Sequence, residues 1–379
     1  MLLFFAHQAA TPAHGQTSAA ETPATGEALQ ARGGPQVTAQ SAILIDSADG
    51  RVLWDKAPHD RHGIASTTKI LTALVVLETA QPSDIVTASP RAQLVGDNDP
   101  LVTELNLMAG EQLTVEQLLY GLLLPSANDA AVALAEHVGG SVEGFAKLMN
   151  TKAAELGATD SHFVNPNGLD DPAHYSSAHD LALFARAAMQ LPLFRKIVAT
   201  RDYQIPRAGH PEGRLLHNRN ELLAAYPGAN GIKTGQTRQA GKSLVGSARR
   251  GSEERISVVL GSEKPEADSE LVLEYGFRAF RRFQLAKVRQ VWGQITYGDG
   301  TSADLIALAD STALVAAQGR QPRVTFDPGR QLLRAGSAGL TARVKVRCLA
   351  KPCLLPPRRR VGDIAWIMRL FSPILSLAR

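Results

Sequence analysis

Cysteine is nearly absent from this chain of 379 residues; only Cys348 and Cys353 occur, in Cys-Leu-Ala-Lys-Pro-Cys. With no second cysteine pair and no nearby histidine cluster to complete a ligand set, a zinc site is not expected there. A short-loop disulfide and two unlinked thiols both remain open. Aromatic residues make up just 5% of the chain, and no basic stripe carries interleaved aromatics. Nucleic acid is therefore not an expected partner. Forty cations nearly balance thirty-six anions, for a net charge of +4, and most of that basic bias lies at the C-terminus. No internal repeat is visible. Long hydrophobic runs are also missing. The apolar start Met1-Leu2-Leu3-Phe4-Phe5-Ala6 lacks a basic flank and is too short for a secretory signal. It reads as the stub of one, or as a plain disordered leader. Residues 7–36, rich in Ala, Gln, Thr, Gly and Pro without an apolar period, are expected to be disordered.

What is present is ordinary globular material, 44% hydrophobic and 20% charged, enough for one large or two smaller domains. Ala42-Ile43-Leu44-Ile45-Asp46 and Val52-Leu53-Trp54 flank an Asp-Gly turn and predict a β-hairpin. Helices are expected over 66–80, 115–123 and 128–137. Ser177, with Asp180 three residues on, resembles a capping box ahead of another helix. Residues 242–249 and 255–261 read as strands. Strands thus open the domain, helices fill its middle and strands return, which predicts an α+β architecture with a sheet assembled from both ends. A boundary is expected near 280, after Tyr275-Gly276-Phe277. Short β-like runs at 285–288, 305–308 and 342–346 predict a small, mostly β domain beyond it.

Three strings carry chemistry. Ser66-Thr67-Thr68-Lys69 puts a hydroxyl and an amine one helical turn apart on one face. First-turn amides there suit a developing oxyanion. Serine is a poor nucleophile until a neighbour takes its proton. A free lysine holds its proton up to about pH 10.4, so bringing it near neutrality takes about 4 kcal/mol of environmental bias. Burial and a second cation would supply that bias, and Lys233 is the candidate cation. Ser126-Ala127-Asn128 follows a helix-ending proline at 125. Ser126 can relay a proton or bond a lysine. Asn128 offers an acceptor and two donors to Lys69 and a substrate amide. Either residue could instead cap the next helix. In Lys233-Thr234-Gly235, Lys233 and Thr234 can meet a carboxylate. The absent side chain of Gly235 lets an extended substrate lie close, as an added strand. Singly, each string has a bland alternative: a chance Ser-x-x-Lys match, a helix cap, a glycine-rich loop with a solvated lysine.

Together the strings resemble the serine penicillin-binding and β-lactamase superfamily. Within it, the chain is most similar to the low-molecular-mass penicillin-binding proteins, the D-alanyl-D-alanine carboxypeptidases of peptidase family S11. The flanking residues Ile64-Ala65, Leu123-Leu124-Pro125 and Asn165-Pro166-Asn167-Gly168-Leu169 fit as well. The resemblance implies a β-lactamase/transpeptidase-like fold, an antiparallel sheet flanked by helices. It implies that Ser66 is acylated, with Lys69 as its base and Ser126 in the proton network. It gives Asn128, Lys233, Thr234 and Gly235 substrate-holding roles, and the oxyanion hole the amides of Ser66 and Gln236. No metal or organic cofactor is implied. Expected partners are peptidoglycan stem peptides and β-lactams. Two departures stand out. Many members have His where this chain has Gln236. Many also have an arginine about ten residues before Tyr-Gly-Phe, where the nearest cation here is Lys264, a point charge rather than a bidentate fork. A D,D-endopeptidase or transpeptidase, a β-lactamase and a silent cell-wall binding protein are the rival readings. No Glu-x-x-Leu-Asn string favours a β-lactamase, and the intact Ser66, Lys69 and Lys233 argue against the silent form.

The tail, 358–379, opens with Arg358, Arg359 and Arg360. Ile364, Ile367, Met368, Phe371, Ile374 and Leu375 then fall on one helical face, with Asp363, Arg369, Ser372 and Ser376 opposite. It is too short and polar to span a bilayer. It reads as an interfacial anchor for an anionic membrane surface, or as a helix packed on the second domain. The expected organisation is therefore a leader (1–36), a catalytic domain (37–280), a β-rich domain (281–357) and an anchor (358–379). The expected setting is outside the bacterial cytoplasmic membrane.

Overall fold

The computed structural model describes residues 34–95, 103–207 and 209–287, and beyond them the backbone of the strands between 291 and 348. The chain opens with the hairpin β1 (Ser41–Asp46) and β2 (Val52–Lys56). A 3-10 turn, Ala65–Thr68, feeds directly into α1 (Lys69–Thr79). The middle holds β3 (Ile85–Thr87), α2 (Pro90–Gln93), β4 (Gln112–Thr114), α3 (Val115–Leu123), α4 (Asn128–Gly139), α5 (Val142–Glu155), α6 (Ala178–Ala188), α7 (Pro192–Val198), the hairpin β5 (Asp202–Arg207) and β6 (His210–His217), and α8 (Leu222–Ala225). Then come β7 (Ala229–Thr237), β8 (Gly241–Arg250), β9 (Glu253–Ser262) and α9 (Pro265–Ala279).

The first and last strands of this region meet in one antiparallel sheet, ordered β2-β1-β9-β8-β7, the α+β arrangement expected from the order of elements. Both faces are covered. Ile43 and Ile45 of β1, Val245 of β8 and Ile256, Val258 and Leu260 of β9 face the larger core with α1, α3, α4 and α6. Ala42, Leu44, Leu244 and Val259 face the smaller core under α8 and α9. Burial on both faces is why these strands read as continuous apolar runs rather than alternating ones. α1 is buried from Lys69 through Val76. It carries no polar face because helices or sheet surround it.

Several expected elements differ in detail. Residues 66–80 are not one helix: the nucleophile string is a 3-10 turn, and only from Lys69 does the backbone become α-helical. Ser177 caps α6 by accepting from the Asp180 amide, but the box is not reciprocal. Asp180 instead accepts from the Asp160 amide and the Ser161 hydroxyl. A full capping box occurs at Thr114 and Gln117, where hydroxyl and amide side chains each bond the other's backbone.

After α9, eight short strands follow among the described residues: Phe280–Ala286, Val291–Thr296, Ser302–Ala307, Ser311–Ala316, Val324–Asp327, Leu332–Ala335, Leu340–Arg343 and Val346–Cys348. They pair only with one another, all antiparallel. The run expected over 342–346 is divided between two of them. The leader up to residue 33, Cys353 and hence the pairing of the two cysteines, and the tail 358–379 lie outside the described residues. Among those described, no helix is long and apolar enough to cross a membrane.

Candidate active site

The site lies where the 3-10 turn, the start of α4 and the free edge of β7 converge. Ser66 sits in the turn, held by the Thr67 hydroxyl bonding back to the Ile64 carbonyl at 2.6 Å. Two non-glycine residues here adopt the left-handed region, Ala65 at φ 48° and Ser126 at φ 73°. Such backbone persists only where its surroundings enforce it, and it clusters at reactive sites. Gly168 is part of that enforcement. Its φ is 86°, and a Cβ there would stand 1.9 Å from the Ala65 carbonyl oxygen, so the 165–169 loop presses bare backbone against the nucleophile turn.

The Lys69 amine, wholly buried, lies 3.0 Å from Ser66 Oγ, 2.7 Å from Asn128 Oδ1 and 2.6 Å from the Asn167 carbonyl. The last two are pure acceptors. A neutral amine has two N–H groups and one lone pair. As an ammonium Lys69 donates to all three oxygens, Ser66 Oγ included; once neutral it can donate to Asn128 and Asn167 and keep its lone pair for the Ser66 hydroxyl. Burial pushes this amine well below the ordinary lysine range, the Lys233 ammonium pushes the same way, Asp129 opposes, and Arg219 again lowers it. The expectation that Lys233 serves as the second cation holds, although burial is the larger cause.

Asn128 is the first residue of α4 rather than its cap; neither it nor Ser126 caps the helix, whose N-cap is Ala127. The Ser126 hydroxyl lines the same cavity as Ser66. It is buried and has no hydrogen-bond partner, so of the two roles expected for it the bond to a lysine is not made. Lys233 is buried on β7, its pKa lowered to about 7, by burial first and then by Arg219. Its amine lies 3.0 Å from the Thr234 carbonyl. Thr234, Gly235 and Gln236 follow along the free edge of β7 and line the cavity, of about 260 Å³. Gly235 has a use beyond the one expected. A Cβ there would meet the Ile64 carbonyl at 3.0 Å and the Thr67 amide at 3.1 Å. The missing side chain makes room for the nucleophile turn, and the residue also lines the cavity.

Sequence reasoning missed Arg219, Thr103 and Asn167. Arg219 lines the cavity and donates to Thr103 Oγ1 at 2.7 Å. It belongs to no recognisable string. Asn167 contributes a main-chain oxygen, which no side-chain pattern can announce. Lys264, the cation nearest the place of the expected arginine, does not line the cavity. It precedes the first turn of α9, and the cavity is lined there by Pro265 and Glu266. Beside Ser66, a second chamber of about 360 Å³ opens between the 167–170 loop and residues 236–239. Among the described residues, no group of three His, Cys, Asp or Glu side chains is arranged to hold a metal ion.

A serine set against a buried lysine whose pKa is held well below the ordinary range, at the edge of an antiparallel sheet covered by helices, defines a serine acyl-transfer enzyme with an amine base. The family model described as D-alanyl-D-alanine carboxypeptidase matches residues 28–264. The chain belongs to this family of serine-type D-alanyl-D-alanine carboxypeptidases. It is 36% identical over 270 residues to the carboxypeptidase DacF of Bacillus subtilis, covering 69% of this chain and 68% of that one. The solved structure of penicillin binding protein 5 from Haemophilus influenzae is similar with a TM-score of 0.70 and 30% identity, over 82% of this chain and 97% of that one. The Streptomyces K15 DD-transpeptidase gives 0.61 and 35%, over 64% and 98%.

Proposed function

We propose that this enzyme removes the terminal D-alanine from peptidoglycan pentapeptide stems through an ester on Ser66. The peptide's C-terminal carboxylate meets Lys233, Thr234 and Arg219, and its backbone runs along the edge of β7 with Asn128 bonding an amide. Ser66 Oγ attacks the penultimate D-alanine carbonyl while its proton passes to the Lys69 amine. The amides of Ser66 and Gln236 hold the resulting oxyanion. The carbon–nitrogen bond then breaks, and the proton passes from Lys69 to the leaving nitrogen, with the Ser126 hydroxyl, unpartnered in the free enzyme, joining the relay once substrate is bound; D-alanine departs. Water adds to the ester with Lys69 again taking a proton, which releases the shortened stem and the free serine. A β-lactam enters the same way, but its opened ring stays tethered. The single observation that carries this reading is the Lys69 amine, 3.0 Å from Ser66 Oγ with its other two contacts pure acceptors.

The test is direct. A peptide ending in D-Ala-D-Ala and a crosslinked dimer are incubated with the protein, and free D-alanine and dimer cleavage are assayed. Wild type is expected to release D-alanine and to label with a fluorescent penicillin; Ser66→Ala should do neither. Dimer cleavage or labelling without D-alanine release would overturn the carboxypeptidase assignment.

The domain limits 37–280 and 281–357 are part of the same reading, supported by strands after Phe280 that pair only among themselves. So is export with peripheral anchoring, supported by the apolar face and three arginines of 358–379. Removing 358–379 should abolish sedimentation with anionic vesicles and leave D-alanine release intact; unchanged sedimentation would exclude the anchor.

A further inference from the structure

Arg219, in the reading above, faces the substrate carboxylate, and its guanidinium is held by Thr103. Thr103 begins a segment, residues 103–111, with little regular structure of its own. What fixes that segment is therefore what fixes Arg219. One side is held by α4: the Asn128 amide donates to the Thr103 carbonyl at 2.8 Å. The buried Asp129 carboxylate accepts from the Leu105 and Leu107 amides at 2.9 and 3.1 Å. The other side is held by Arg214, on β6. Its Nε donates to the Leu105 carbonyl, and its two terminal nitrogens donate to the Asn106 and Pro206 carbonyls and to both oxygens of Glu111. All five N–H groups of the guanidinium are thus used, and both Arg214 and Glu111 side chains are under a tenth exposed. An exposed chain segment rarely receives so complete a set of donors. Arg214 also stands five residues before Arg219 in the same stretch of chain. The connection closes on itself: β6 carries Arg214, Arg214 holds the segment, and Thr103 of the segment holds Arg219.

We propose that Arg214 is a positioning residue for carboxylate recognition, acting through the 103–111 segment and Thr103 to fix the Arg219 guanidinium over the cavity. It touches no substrate. Only a planar fork can hold three carbonyls and both carboxylate oxygens at once, so lysine is not an adequate replacement. The inference rests on the carboxypeptidase reading for its substrate but not for its test, because penicillin also carries a carboxylate and its acylation of Ser66 can be timed independently of D-alanine release.

The experiment is a double-mutant cycle on the full chain. Second-order acylation by fluorescent penicillin and kcat/KM for D-alanine release are measured for wild type, Arg214→Lys, Arg219→Ala and the pair, with a thermal melt of each. Arg214→Lys is expected to lower both rate constants about tenfold. In the Arg219→Ala background the same change should alter them by less than about twofold, since the group it positions is already gone. Thr103→Val, which removes only the hydroxyl acceptor, should reproduce the loss and the same lack of additivity. It keeps the comparison available if Arg214→Lys does not fold. Equal losses in both backgrounds would reduce Arg214 to a stabilising residue and overturn the proposal, as would wild-type rates in Arg214→Lys. Normal penicillin acylation with no D-alanine release from wild type would sink the carboxypeptidase reading and leave the cycle still decisive.

Discussion

At the scale of single residues, the two lysines set opposite requirements on pH. Lys69 acts only when neutral, so acylation should rise with pH as that amine loses its proton. Lys233 attracts a carboxylate only when charged, and in the free enzyme it has lost half its charge by about pH 7. kcat/KM should therefore fall above about 7, and Lys233→Arg, whose charge persists to high pH, should move that alkaline limb upward; an unmoved limb would mean that another group sets it. The same burial destabilises the fold. Unfolded, Lys233 keeps its proton to about 10.5; folded, only to about 7. Between these values the unfolded chain binds the extra proton, so stability rises with pH across that window and is lowest below it. Lys233→Met should raise the melting temperature by an amount worth on the order of 4 kcal/mol at pH 6, with the gain closing toward pH 10, while abolishing carboxylate recognition. Ser66, Lys69 and Asn128 were legible in the sequence because their chemistry needs particular side chains at particular spacings. Arg219 was not, since a guanidinium placed by a long loop has no fixed spacing to anything.

At the scale of elements, the close approach of the 3-10 turn to β7 decides whether Ser66 faces the cavity. Gly235→Ala would place a methyl at 3.0–3.1 Å from the Ile64 carbonyl, the Thr67 amide and the Thr67 methyl. The turn must then shift by a few tenths of an ångström. We expect penicillin acylation to drop by about a hundredfold, since small misplacements of a reacting group weigh heavily, with only a few degrees of change in melting. A preserved rate with a large melting change would reverse that assignment. Gly168→Ala is different in kind, because its methyl would overlap the Ala65 carbonyl and its left-handed backbone disfavours any side chain. That variant should lose about 3 kcal/mol of stability or fail to fold. The helices with strong local signals, α3 and α4, were readable nearly to the residue. The split of 66–80 into a turn and a helix was not. A 3-10 turn and an α-helical turn bury the same side chains over four residues, and the distinction is made by neighbours such as Gly168 that lie a hundred positions away in the chain.

At the scale of the whole molecule, the sheet closes only when the first and last strands of the catalytic region meet, and the position of the entering chain has to be fixed. Asp268, in the first turn of α9, does this. Its carboxylate accepts from the Thr38 hydroxyl at 2.8 Å, the Ala39 amide at 2.9 Å and the Ser262 hydroxyl at 2.7 Å, and its other oxygen accepts from the Thr38 amide at 3.1 Å. Burial alone would raise this carboxyl's pKa, but the donors from Ser262, Thr38 and Ala39 outweigh it and hold the group below the ordinary aspartate range. The long-range pairing of β1 with β9 was foreseeable from the alternation of element types; this carboxylate was not, because an aspartate at the start of a helix reads as a favourable charge on the helix dipole and nothing more. Asp268→Asn keeps the shape but turns two acceptor oxygens into one, so it should cost about 2 kcal/mol at neutral pH. A depressed carboxyl contributes stability that is fully present above its unfolded pKa and is lost as pH falls through the folded one. The melting difference between wild type and Asp268→Asn should therefore stay constant from pH 8 to about 5 and shrink below about 4. A difference that persisted unchanged into acid would show that the carboxylate's charge plays no part in joining the two ends of the sheet, and that packing of Ala39 beneath α9 holds the first strand in place by itself.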